Sequence, residues 1–289
     1  MCELDDLNGF ARRSVELTRR QFGTLALGAG MFAALPRLAN AVPTQASDLD
    51  IKTPAGTADA FFVHPAGGKH PGVLIWPDIF GLRPAFKQMA TRLAESGYAV
   101  LVMNPFYRTK RAPTAPEHPD FSDPATREAL MALANSLNAE TTAVDATAFV
   151  AFLDGQSAVD TKKKLATTGY CMGGPLVMRT AALFPSRVGA AATFHGGGLV
   201  TDQADSPHLL IPQMHAHYLI AIAESDDQQQ PDAKTKLRDG FAKAHLPSEI
   251  EVYAGTQHGW CPPDSRVYNH DQAEKAWSRM LALFQTSVA

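Results

Sequence analysis

The sequence predicts an α/β fold, a mostly parallel sheet of about eight strands with helices on both faces. Three observations carry that prediction. Apolar runs rich in β-branched and aromatic residues alternate with segments of helical spacing over most of the chain. The runs GVLIWPD (72–78) and YAVLVMNP (98–105) are almost continuously apolar, as strands covered on both faces must be. No repeat or linker of domain-boundary composition interrupts the alternation, and 289 residues can bury one core of this type.

The elements follow in order. DLDIKT (48–53) and ADAFFVHP (58–65) flank Pro-Ala-Gly-Thr and read as a hairpin. After the strand at 72–78, RPAFKQMATRLAESG (83–97) has apolar residues at helical spacing and stops at a glycine. The strand at 98–105 leads into Tyr107–Ser122, rich in Pro, Lys and Arg, which reads as a surface loop. A long helical pattern from Pro124 to about Leu153 breaks near Asn138. LATTGYC (165–171) runs into a helix from Gly173 to about Phe184, followed by the strand GAAATFHG (189–196). HYLIAIAES (217–225), a helix over 231–245, SEIEVYAG (248–255) and a last helix from about Asp264 to Phe284 complete the chain. In such sheets functional groups collect at the carboxyl ends of the strands.

Residues 1–41 stand apart. LTRRQFGTLALGAGMFAALPRLANA (17–41) has paired arginines, Arg19 and Arg20, a mildly apolar run from Phe22 to Leu35, and a small-x-small site at Ala39-Asn40-Ala41. That order is a secretory signal's, and Thr-Arg-Arg-x-Phe resembles a twin-arginine export signal. The apolar run is shorter than the roughly twenty residues a bilayer requires, so no stable membrane anchoring is expected. The alternative is an amphipathic N-terminal helix of the mature fold. Cleavage after Ala41 would leave 42–289 as the folded domain, periplasmic or secreted, with the export machinery as its partner in transit. A formal charge of −3 without a polybasic surface argues against nucleic acid as a partner. Three cysteines, Cys2, Cys171 and Cys261, are too few for a disulfide scaffold.

The chemistry centres on Gly169-Tyr170-Cys171-Met172-Gly173, a strand-turn-helix pattern that places a nucleophile between two glycines. Side chains two residues before and two after the nucleophile would collide with the neighbouring strand and helix. The turn exposes the sulfur beside a helix N-terminus, whose free N–H groups favour a thiolate. A packed structural cysteine is the competing reading. Chain order sharpens the first one, because nucleophile, acid and histidine follow one another on this fold. Asp226 closes the strand HYLIAIAES, and His258 lies in the loop after SEIEVYAG. His258 would take the thiol proton and Asp226 would fix its tautomer. Asp227 competes with Asp226 for that position. A turn histidine and a helix-capping aspartate are the bland alternatives.

With these residues in hand, the sequence resembles the dienelactone hydrolase family of α/β-hydrolases from about Asp48 to Phe284. The motifs are Pro77-Asp78-Ile79-Phe80-Gly81, Gly169-Tyr170-Cys171-Met172-Gly173-Gly174, Phe194-His195-Gly196-Gly197, Ala223-Glu224-Ser225-Asp226 and His258-Gly259-Trp260. The resemblance implies a triad of Cys171, Asp226 and His258, an oxyanion hole from the backbone N–H groups of Ile79 and Met172, and no metal or organic cofactor. It implies that Asp78 stands where relatives use glutamate to tune the thiol. Pro262 stands where they carry a substrate-gripping arginine, and Arg108 matches a second one. The expected activity is hydrolysis of a small ester or lactone through an acyl-enzyme. A thioesterase, a broad carboxylesterase, and a non-catalytic or redox-regulated binding protein on the same fold are the alternatives.

Weaker features complete the reading. Trp76 and Trp260 flank the expected site and could line it, although core packing is the simpler role. His195, at a strand end, is expected beside the pocket but not as the base. His215-Ala216-His217, with His195 and His208, lacks a third ligand of fixed spacing for a metal. Cys261 lies close to His258 in sequence, which allows a disulfide with Cys171 in an oxidising compartment.

Overall fold

The computed structural model describes residues 41–116 and 119–288. The export-signal reading therefore lies outside the described residues, apart from Ala41. Strands β1 (Thr44–Thr53) and β2 (Gly56–Pro65) form the expected hairpin, paired from Thr53↔Gly56 out to Thr44↔Pro65. The first strand starts at Thr44 rather than Asp48. Backbone pairing continues through Thr-Gln-Ala-Ser, whose mostly exposed side chains carry no apolar signal.

The remaining strands are β3 (Gly72–Trp76), β4 (Ala99–Met103), β5 (Leu165–Tyr170), β6 (Val188–Phe194), β7 (His217–Ala223) and β8 (Ser248–Tyr253). They form one eight-stranded sheet in the order β1-β2-β4-β3-β5-β6-β7-β8. The hairpin joins β4 antiparallel, and every later pairing is parallel. Alternation sorts the central strands onto two cores. Leu74 and Trp76 point to one face, Val73 and Ile75 to the other. Each fully buried side chain of this kind is worth about 1.5–3 kcal/mol.

Helices α1 (Pro84–Glu95) and α7 (His270–Ser287) cover the Val73 face through Phe86, Leu93, Trp277 and Phe284. Helices α3 (Ala139–Asp154), α4 (Gly173–Leu183) and α6 (Ala233–Lys243) cover the Leu74 face through Phe149, Val177 and Phe241. The long helical pattern breaks where expected. Helix α2 (Pro124–Ala134) ends, and Asn138 starts α3 with a reciprocal cap: its side chain accepts the Thr141 N–H, and Thr141 accepts the Asn138 N–H.

Other boundaries move as well. The last helix begins at His270, because Asn269 caps it by accepting the Gln272 N–H and Asp264 is drawn into an ion pair with Arg83. A short helix α5 (Glu224–Gln229) follows β7 directly, and the helix expected over 231–245 is the shorter α6. No helix among the described residues is long and apolar enough to cross a membrane.

Candidate active site

The junction between β5 and α4 is as tight as its glycines require. A Cβ on Gly169 would lie 2.4 Å from the Gly173 carbonyl oxygen, and one on Gly173 would lie 2.3 Å from the Trp76 carbonyl oxygen. Cys171 between them has φ of +52°, a left-handed conformation that costs a side chain of this kind about 1–3 kcal/mol. The strain is held from both sides. The Cys171 N–H donates to the Phe194 carbonyl at 3.0 Å, and its carbonyl accepts from the Gly174 and Gly197 N–H groups at 3.0 and 3.3 Å. The side chain is left part-exposed at the start of α4.

His258 reaches this sulfur from the loop after β8. That loop is stitched to the one after β7. The Ser225 N–H donates to the Thr256 carbonyl at 3.2 Å, and the His258 N–H donates to Ser225 Oγ at 2.9 Å. Asp226 then meets His258 Nδ1 with both carboxylate oxygens, at 3.0 and 2.9 Å. Asp227 faces the other way and binds Lys234 Nζ at 2.7 and 2.6 Å, which separates the two aspartates. Burial opposes charge on the imidazole, but Asp226 and the adjoining Cys171 sulfur outweigh it and push the His258 pKa up to about 10. Cys171, Asp226 and His258 are thus brought together.

Among the described residues, neither the Ile79 nor the Met172 N–H donates to a protein acceptor. Ile79 sits in a turn fixed by Asp78, whose carboxylate accepts the Phe80 N–H at 2.9 Å and whose carbonyl accepts the Gly81 N–H at 2.9 Å.

Several expected site residues have other employment. Asp78 is bound by Arg83 Nη1 and Nη2 at 2.6 and 2.9 Å, so its carboxylate has a guanidinium for its partner. Arg108 is not a free substrate arginine. It grips Asp145 on α3 at 2.7 and 2.8 Å, because that buried carboxylate requires a counter-charge. Trp76 is a core residue, packed edge-on against Phe149 at 6.0 Å. Trp260 is buried too, stacked on Tyr253 at 4.7 Å.

His195 lies beside the site as expected. It is buried, has φ of +41°, and meets the His258 ring edge-on at 5.1 Å. Burial, then the charges of His258 and Arg83, push its pKa well down, so it stays neutral. His217 sits at the opposite end of the sheet from His195, bonded to Ser287 Oγ at 3.1 Å, and His208 bonds Ser206 Oγ at 2.7 Å. Among the described residues no cluster of metal-ligating side chains forms. Cys171 and Cys261 are both free thiols, and burial among Tyr170, Phe194 and Trp277 pushes the Cys261 pKa up.

Sequence reasoning missed Arg83, Asp264 and Ser225. Arg83 precedes Pro84 at the first turn of α1 yet caps nothing; that misplaced charge next to the Asp78 turn was the available signal.

An open, mostly parallel sheet with a strained cysteine elbow, a following aspartate and a late histidine defines an α/β-hydrolase. The family model for the dienelactone hydrolase family matches residues 58–288, and the chain belongs to that family. A carboxymethylenebutenolidase of Rhodococcus opacus is 26% identical over 249 residues, covering 84% of this chain and 92% of that protein. Among solved structures, the dienelactone hydrolase-like promiscuous phosphotriesterase P91 from metagenomic libraries superposes with a TM-score of 0.71 at 21% identity, covering 85% of this chain and 99% of that one. Dienelactone hydrolase from Anabaena variabilis superposes at 0.60 with 13% identity, covering 85% and 99%. The protein is a hydrolase of the class that acts on ester or lactone bonds.

Proposed function

We propose that the protein hydrolyses a small ester or lactone through an acyl-enzyme on Cys171. The observation that carries this reading is the His258 imidazole, fixed at Nδ1 by Asp226 and in contact with the Cys171 sulfur. The His258 imidazolium favours the thiolate form of Cys171 beside it, and the thiolate attacks the substrate carbonyl. The resulting oxyanion is received by the Ile79 and Met172 N–H groups, each worth roughly 3–4 kcal/mol in the transition state. The tetrahedral intermediate collapses, the C–O bond breaks, and His258 gives its proton to the departing alkoxide. Acylation also removes the thiolate charge, one of the two that hold the proton on His258. The imidazole is then a better base for water, which attacks the thioester and releases the acid.

We further propose that the chain is exported and cut after Ala41. The first strand begins at Thr44, so that cut leaves the sheet whole. Mass spectrometry of exported protein should find an N-terminus at Val42.

Hydrolysis of p-nitrophenyl acetate tests the chemical reading. A burst of p-nitrophenol stoichiometric with enzyme is expected, lost in Cys171→Ala. A screen of esters, lactones and thioesters assigns the preferred acyl group. A folded wild-type protein that is inert, with a Cys171 that iodoacetamide does not alkylate, would instead make this a binding protein.

A further inference from the structure

We infer that Arg83 is a positioning residue for the oxyanion donor Ile79, tying its turn to the loop at Asp264. The inference rests on the acyl-enzyme reading above. The Arg83 guanidinium is almost fully buried and lies over the Phe80 and Phe86 rings, at 5.3 and 4.9 Å. Its Nη1 and Nη2 bind Asp78 at 2.6 and 2.9 Å, and its Nε and Nη2 bind Asp264 at 2.6 and 2.9 Å. One planar fork thus spans two carboxylates from distant parts of the chain, a geometry lysine cannot reproduce.

At one end of this clamp, Asp78 shapes the Asp78–Gly81 turn through the Phe80 and Gly81 N–H groups, and Ile79 sits inside that turn. At the other end, the Ser265 N–H donates to the Pro262 carbonyl at 3.0 Å. The Asn269 N–H donates to the carbonyl of buried Trp260 at 3.1 Å. Both carboxylates therefore sit in hydrogen-bonded turns, and Arg83 ties the turn that carries Ile79 to the one that carries Asp264. His258 is held separately, by Ser225 and Asp226. Losing Arg83 would leave buried Asp78 and part-buried Asp264 without a counter-charge and free the turn that aims Ile79, while the Cys171–His258 pair keeps its own supports.

The test separates these effects on the purified full chain. Arg83→Met, Arg83→Lys and Asp264→Asn are assayed for kcat and KM on p-nitrophenyl acetate. The same proteins are assayed for the rate of Cys171 alkylation by iodoacetamide, which uses the thiolate but no oxyanion hole. A donor needed only in the transition state lowers kcat and spares KM. The expected result is kcat reduced about 10- to 100-fold, less than outright loss of a donor. KM and alkylation rate should stay within about 3-fold of wild type, and Asp264→Asn should add little in the Arg83→Met background. Unchanged kcat, with Cys171→Ala inactive, would overturn the inference and leave the acyl-enzyme reading standing. Alkylation falling in step with kcat, or failure of all three variants to fold, would make Arg83 a general structural residue and also overturn it. Activity retained in Cys171→Ala would remove the acyl-enzyme reading and this inference with it.

Discussion

Asp226 meets Nδ1 of His258 with both carboxylate oxygens, at 3.0 and 2.9 Å, and so leaves Nε2 as the nitrogen available to Cys171. An amide cannot replace this carboxylate, because its NH2 group favours the wrong imidazole tautomer. Asp226→Asn should keep the fold and lower kcat on p-nitrophenyl acetate by about 10³- to 10⁴-fold. A loss below about tenfold would count against Asp226 as the orienting acid.

The same contact makes stability depend on pH. The folded-state pKa of His258 is raised from 6.5 to about 10, so between those values the folded chain keeps a proton that the unfolded chain releases. The sign follows: this contribution is complete below about pH 6.5 and is lost as pH rises through about 10. Thermal melts should show Tm falling over that window. In Asp226→Asn the fall should be shallower, and identical slopes in the two proteins would contradict the assignment.

Gly173 is a steric prediction. A methyl there would sit 2.3 Å from the Trp76 carbonyl oxygen and 2.9 Å from that of Pro77, both backbone atoms of the adjoining strand end. Neither can swing aside as a side chain would. Gly173→Ala should destabilise by about 1–3 kcal/mol or more, read from urea unfolding. The residual folded enzyme should be impaired, because α4 must shift away from the elbow.

Arg108 separates a structural from a substrate-binding role. Asp145 is almost wholly buried and is bound by Arg108 and by the Tyr107 hydroxyl at 2.6 Å. Arg108→Met should cost about 3–5 kcal/mol of stability by stranding that carboxylate. KM should stay at the wild-type value in the protein that folds. A raised KM with unchanged stability would restore the substrate role that the sequence suggested.

How the site was read from sequence differs residue by residue. Cys171 was legible because the elbow is local: two glycines and a strand-helix switch suffice to place a strained, part-exposed cysteine. Asp226 and His258 were legible because a parallel sheet delivers successive strand ends to one edge, so chain order carries spatial order. The choice of Asp226 over Asp227 was not, since it depends on Lys234 turning one carboxylate away. The start of β1 was obscured by exposed side chains, although its backbone pairs fully.

By itself the sequence determined the sheet, the elbow and the places of Cys171 and His258 at its carboxyl edge, because apolar periodicity and glycine sterics act over a few neighbouring residues. Only the tertiary structure decided which charges neutralise one another. Arg83 takes both Asp78 and Asp264, and Arg108 takes Asp145. A buried carboxylate is satisfied by whichever guanidinium packing brings within hydrogen-bond reach, and that distance in space has no trace in distance along the chain.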